Sequence, residues 1–183
     1  MLQLNFNPFP ELTTERLILR KLKIDDANAL YFLRSDKVVL THLGKDPEKS
    51  VETTINFINS VNANVENNES ILWGIAFKNK PSEIIGTICY WQLHKEHYRA
   101  EIGYLLHPAH WRKGIMKEAI RKVIEYGFST MGLHSIEARI GVRNIASAAV
   151  LESTGFTREG YFKEDFFYNG KFEDTPVYSL VNK

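Results

Sequence analysis

A chain of 183 residues, 44% hydrophobic and 25% charged, has the size and composition of one globular domain over residues 1–183, which excludes a disordered chain, a collagen and a disulfide miniprotein. Lys and Arg number 23 against 22 Asp and Glu, and a net charge of +1 lacks the basic excess of a protein that grips nucleic acid non-specifically. The single cysteine, Cys89, cannot form an internal disulfide, no apolar run approaches the roughly 20 residues of a membrane span, and no leader pattern opens the chain, so a cytoplasmic protein without nucleic-acid or membrane partners is expected.

Thr13–Leu22 reads as a strand in which Leu17 and Leu19 alternate with Arg16, Ile18 and Arg20. Asp25 caps a helix running to Arg34, with Ala29, Leu30 and Leu33 as its apolar stripe. Asp46-Pro47 signals the start of a second helix, which carries Val51, Ile55, Ile58, Val61 and Val65 on one face. Ile71–Phe77 and Ile84–Trp91 form a hairpin across Asn79-Lys80-Pro81-Ser82, and Glu101–Leu106 is a further strand. From Lys113 the period becomes helical: Met116, Ala119, Ile120, Val123, Ile124 and Phe128 share one face, and Glu118 and Lys122 form a favourable pair on the other. Ile136–Val142 is a strand and Asn144–Ser153 a short helix stopped by Gly155. Thr157–Phe166 and Phe172–Leu180 are final strands turned at Asn169-Gly170. The order implies an α/β (α+β) protein with a mixed, mostly antiparallel sheet of about seven strands flanked by about four helices.

The stretch most informative about chemistry runs from Glu101 to Ala119, as strand, polar loop and helix. A helix start has unpartnered N–H groups and partial positive charge, which suits a phosphate. Arg112 and Lys113 add formal charge, and Gly114 allows close approach to the backbone. One glycine makes neither a dinucleotide fingerprint nor a nucleotide P-loop. The pairs His94/His97 and His107/His110 lack the helical setting of a zinc site, so no metal is expected. Trp73, Trp91 and Tyr98 are either an acceptor wall or strand packing.

Trp111-Arg112-Lys113-Gly114-Ile115-Met116 resembles the pyrophosphate loop of the GNAT N-acetyltransferases, with Trp111 and Met116 departing from the usual residues. It is most similar to the branch containing the RimJ/RimL-type ribosomal-protein N-terminal acetyltransferases. Thr14–Arg20, Ile84–Thr87, Asn144–Phe156, Glu159-Gly160 and Asn169–Asp174 resemble further segments of that branch in order. The resemblance implies a GNAT fold that binds acetyl-CoA as cosubstrate. It places the pyrophosphate on the amides of Arg112, Lys113, Gly114, Ile115, Met116 and Lys117, and the pantetheine along Leu105, Leu106 and His107, with Asn144 reaching it. An amide near Leu105 or Leu106 would hold the thioester oxygen. Ser147 falls where the branch can set a hydroxyl beside the CoA sulfur.

The tyrosine acid of many GNAT enzymes is replaced by Leu151, and the carboxylate of some members by Phe166. Glu101 is the preferred base, directly or through water, with Glu164, two residues before Phe166 on the same strand face, as the alternative. The resemblance implies direct transfer onto a primary amine, without an acyl-enzyme. A protein or peptide N-terminus leads, a polyamine or antibiotic amine follows, and a non-catalytic acyl-CoA sensor is the rival from another class. Monomer and homodimer are both compatible with the sequence.

Overall fold

The computed structural model describes residues 1–41 and 43–183. Its strands are β1 (Leu12–Thr13), β2 (Leu17–Arg20), β3 (Ile71–Phe77), β4 (Lys80–His94), β5 (Arg99–Leu106), β6 (Ser135–Arg139), β7 (Thr157–Tyr168) and β8 (Lys171–Val181). Its α-helices are α1 (Ala27–Ser35), α2 (Lys37–Leu40), α3 (Val51–Glu66), α4 (Ile115–Ser129) and α5 (Ile145–Glu152). The strands form one sheet in the order β1-β2-β3-β4-β5-β6-β8-β7. Every neighbouring pair is antiparallel except β5 and β6, which run parallel.

Successive strand residues point to opposite faces, and two cores result. Trp73 and Leu106 join the larger core under α4, with Ile115, Ala119, Ile120 and Val123. Their neighbours Leu72 and Leu105 pack instead with Leu30, Leu33 and Ile58 of α1 and α3. The α4 stripe read from the sequence is the face that is buried.

Several expected boundaries are corrected. The strand expected over Thr13–Leu22 is broken by a tight turn, because the Thr14 hydroxyl accepts the Leu17 N–H at 2.9 Å. Arg20 is buried, and its guanidinium makes two hydrogen bonds to Asp26 at 2.7 and 2.8 Å. Asp26, not Asp25, organises the entry to α1, also accepting the Lys23 N–H at 2.7 Å. α3 starts after Ser50 rather than at Asp46-Pro47. Ser50 Oγ accepts the Thr53 N–H at 3.3 Å and Thr53 Oγ1 accepts the Ser50 N–H at 3.2 Å, a reciprocal cap. Beyond the expected count, β1 is a two-residue strand and α2 a four-residue helix. Asn169 (φ 49°) and Gly170 (φ 75°) make the left-handed turn that joins two strands without splaying them.

Candidate active site

The site is built on β5. β4 follows one edge of β5 in unbroken register from Gly86–Leu106 to Trp91–Glu101. β6 pairs with the other edge only at Arg99, Ala100 and Glu101, so from Ile102 to Leu106 that edge is open. Strand amides alternate in direction. The His107 N–H donates to Ile85 O at 2.8 Å, which turns the Leu105 amide to β4 as well. The amides of Ile102, Tyr104 and Leu106 face the gap. Of the amides expected at this strand end, Leu106 faces the gap, whereas Leu105 and His107 do not. The His107 ring is engaged too: Nδ1 accepts the Ala109 N–H at 3.1 Å and the ring stacks on Phe32.

After β5 the chain makes a single helical turn at Pro108–His110. Trp111 Nε1 then donates to Leu106 O at 2.7 Å. This bond ties the loop to the strand end and gives the tryptophan its role. Arg112 (φ 59°) and Gly114 (φ 73°) adopt left-handed backbone. For Arg112 this costs roughly 1 kcal/mol or more, and for Gly114 almost nothing. The Ile115, Met116 and Lys117 N–H groups open α4 with no side chain capping them. Arg112 and Lys113 stand exposed beside them, and the Asn144 and Ser147 side chains are half-buried across the gap. Asn144 Oδ1 accepts the Ser147 N–H at 3.0 Å as the cap of α5, so only the Asn144 amide hydrogens are left for a ligand.

Glu118 holds the loop from behind. It accepts the Arg16 N–H at 2.9 Å, the Arg16 Nε–H at 2.7 Å and the Thr14 hydroxyl, while Arg16 Nη1 donates to Lys113 O at 3.1 Å. Burial pushes its pKa up, but the hydrogen bonds from Thr14 and Arg16 outweigh this and hold it below the usual carboxylate range. The expected pairing of Glu118 with Lys122 is corrected: Lys122 bridges to Glu125 at 2.8 Å.

Glu101 sits where β5 parts from β6, opposite Trp91 on β4 and Glu137 on β6. It is 6% exposed, and its Oε2 is buried with no hydrogen-bond partner among the described residues. Arg139 Nε approaches to 4.0 Å but bonds Glu137 Oε1 at 2.8 Å. Burial raises the Glu101 pKa to about 7, with Glu137 adding to the rise and Arg139, Trp91 and Arg99 opposing it. The Arg139 guanidinium also lies 4.8 Å from the Phe162 ring centre of β7.

Two expectations change here, and one alternative is decided. Glu164 was expected on the strand face of Phe166, but the chain bulges between Phe162 and Phe166 and Glu164 turns left-handed (φ 51°). Its N–H is accepted by Asp174 Oδ1 at 2.9 Å and its side chain is exposed, while Phe166 packs on Gly44. Of the three aromatics, Trp73 is buried in the core and donates to Pro10 O at 2.7 Å, Tyr98 lies at the β4–β5 connection, and Trp91 borders Glu101. Tyr104 was expected only as strand backbone. Its hydroxyl is buried without a hydrogen-bond partner among the described residues, and Ser147 acts on it from across the gap. No sequence spacing links residues from such distant segments. Among the described residues there is no cluster of three or more His, Cys, Asp or Glu arranged for a metal. No helix among them is long and apolar enough to cross a membrane.

A mixed sheet parted between two parallel strands, with bare helix amides at its mouth and a buried carboxylate where the strands meet, has the form of an acyl-CoA-dependent transferase. Residues 16–157 match the acetyltransferase (GNAT) domain, and the chain belongs to that family. The N-acetyltransferase YoaA of Bacillus subtilis is 40% identical over 173 residues, covering 94% of this chain and 97% of YoaA. A spermidine N(1)-acetyltransferase of Vibrio cholerae is 25% identical over 170 residues, covering 92% of this chain and 95% of its own. The solved structure of RimL, a ribosomal α-N-protein acetyltransferase in complex with coenzyme A, aligns with a TM-score of 0.85 at 22% identity, covering 94% of this chain and 98% of that one. That likeness is one of fold. The chain is an acetyl-CoA-dependent N-acetyltransferase.

Proposed function

We propose that this enzyme acetylates the N-terminal α-amine of a protein or peptide, with Glu101 as the base and Ser147 beside the leaving sulfur. The observation that carries the reading is the buried Glu101 carboxyl, whose Oε2 has no hydrogen bond among the described residues and whose pKa is raised to about 7. A free α-amine titrates near 7.8, so about one in seven molecules is neutral at pH 7, while the neutral form of a lysine-type amine near 10.4 is about 400-fold rarer. A base near 7 is matched to the first amine and poorly matched to the second.

The geometry supports a direct route. The bare amides of Ile115, Met116 and Lys117, with Arg112 and Lys113, suit the pyrophosphate of acetyl-CoA. The open edge of β5 suits the pantetheine amides, and the gap-facing Ile102 and Tyr104 N–H groups, nearest Glu101, suit the thioester oxygen. The amine nitrogen attacks the thioester carbon, the C–S bond breaks with its electron pair on sulfur, and the amine proton passes to Glu101. No step needs an acyl-enzyme.

The full-length likeness to a spermidine acetyltransferase supports a polyamine as the second reading. An amine panel decides between them through CoA thiol release. Peptides beginning with Ser or Ala should give a kcat/KM at least about tenfold above their Nα-blocked forms and above spermidine. Faster turnover of spermidine overturns the peptide reading, and no thiol release with any amine would make the protein a sensor.

A further inference from the structure

We propose that Tyr104 is a positioning residue, whose hydroxyl donates to Ser147 Oγ and so aims the Ser147 O–H at the sulfur leaving the thioester. The inference rests on the reading of Ser147 given above. Tyr104 lies on the part of β5 that β6 leaves unpaired, with its side chain on the face that carries the α4 core. Its Oη is buried and has no hydrogen-bond partner among the described residues. A buried hydroxyl left unpaired is unfavourable, and it calls for a partner that one small movement can supply.

Of the neighbouring hydroxyls, Ser147 is the one close enough to act on it as a hydrogen-bonding group, and Tyr178 acts on it only through charge. Tyr178 is directed elsewhere, donating to Glu152 Oε1 at 3.4 Å. The other hydroxyls at the end of α5 are also engaged: Ser153 donates to Val150 O, and Thr154 to Val150 O and Leu151 O. Leu151 is fully buried and offers no polar atom. Ser147, half-buried in the first turn of α5, has its N–H fixed by Asn144 and its hydroxyl free to rotate.

The Tyr104 phenol suits a donor that keeps its proton. Burial raises it to about 12, Ser147 opposing the rise and Tyr178 adding to it. An ordinary thiol titrates near 8.5, so a departing thiolate cannot take the phenol's proton, though it can be stabilised through the Ser147 O–H. When the C–S bond breaks, the electron pair stays on sulfur. Both hydroxyls keep their protons, and the thiolate is neutralised from water.

The test compares Y104F, S147A and the double variant. Y104F should lower kcat about fivefold to tenfold and leave both KM values within about twofold. It should still fold and bind CoA as the wild type does, because it keeps the ring that packs on the α4 core and removes only the hydroxyl. The double variant should be no slower than S147A. A wild-type kcat in Y104F alongside a slowed S147A overturns the proposal and leaves the Ser147 reading standing, as do single effects that multiply in the double variant. An unslowed S147A overturns both. Should Y104F melt early, a fluorinated tyrosine at position 104 alone decides: as a stronger donor it should change kcat in the wild type and not in S147A, and equal responses overturn the relay.

Discussion

At the scale of single residues, the proposed chemistry turns on a carboxyl kept out of water with one oxygen unpaired. Arg139 is near enough to oppose the burial of Glu101, but its closest bond is to Glu137, and this balance leaves the Glu101 pKa at about 7. As the proposed base, Glu101 has to be ionised, so kcat/KM for a blocked-side-chain peptide should rise with pH through about 7. E101Q should remove that limb and lower kcat by about a hundredfold or more, measured by thiol release. Stability should move the other way. The folded pKa lies above the ordinary value of 4.5, so the native protein holds a proton that the unfolded chain has lost. The resulting stabilisation is complete below about pH 4.5 and is lost as pH rises through about 7. E101Q, which carries no charge to bury, should therefore melt above the wild type at pH 8, and the gap should close on acidification. A variant that loses activity and melts lower at pH 8 would make Glu101 a structural partner rather than a base.

At the scale of elements, the acetyl-CoA side depends on how the β5–α4 loop is held against β2. Glu118 does this from inside α4 by accepting from Thr14 and Arg16, and Arg16 in turn donates to Lys113 O. E118A removes these bonds, but Arg16 is exposed and water replaces part of them, so the cost is about 1 kcal/mol. Because the Glu118 pKa is lowered in the fold, its stabilisation is present at neutral pH and lost as pH falls through that lowered value. The stability gap between E118A and the wild type, read from urea melts, should shrink in acid, and the KM for acetyl-CoA should rise more than that for the amine. The loop, α4 and the closing hairpin were legible in the sequence, because periodicity, bare helix starts and Asn-Gly turns are local signals. What was not legible is non-local. Glu118 was assigned to Lys122, one turn away, although its partner Arg16 lies in the distant turn between β1 and β2. The α3 start was assigned to Asp46-Pro47 because the reciprocal Ser50–Thr53 cap carries no acidic residue to mark it. Glu164 was placed by strict alternation, which a bulge cancels. Glu101 could be chosen from its place on the strand, but its unpaired oxygen and the poise of Arg139 exist only once β6 is docked.

At the scale of the whole molecule, the sheet separates two tasks. The face under α4 carries the larger core and the bare helix start, and the face under α1 and α3 carries a smaller core built on Leu22, Ala27, Leu30, Leu33, Ile58 and Ile84. The Glu101 side chain, in alternation with Leu105, opens on this second face, so the proposed acceptor side is the one with less apolar burial. An ion pair secures it. Arg20 and Asp26 have side chains only 7% and 2% exposed, and Arg20 also donates to Pro81 O and Ser82 O at 2.6 and 3.3 Å. One guanidinium thereby ties β2, the entry to α1 and the start of β4 together. Breaking a buried pair by removing one charge leaves the other uncompensated, at a cost of about 3–5 kcal/mol. D26N should therefore lower Tm by about 10 °C in a chain of this size. Below that melting point, the loosened layer should act on one substrate only. KM for the amine should rise severalfold, while CoA affinity, read by calorimetry, should hold, because the α4 side keeps its own core and its own ties to Arg16. Equal weakening of both substrates would mean that the two faces do not behave as separate units.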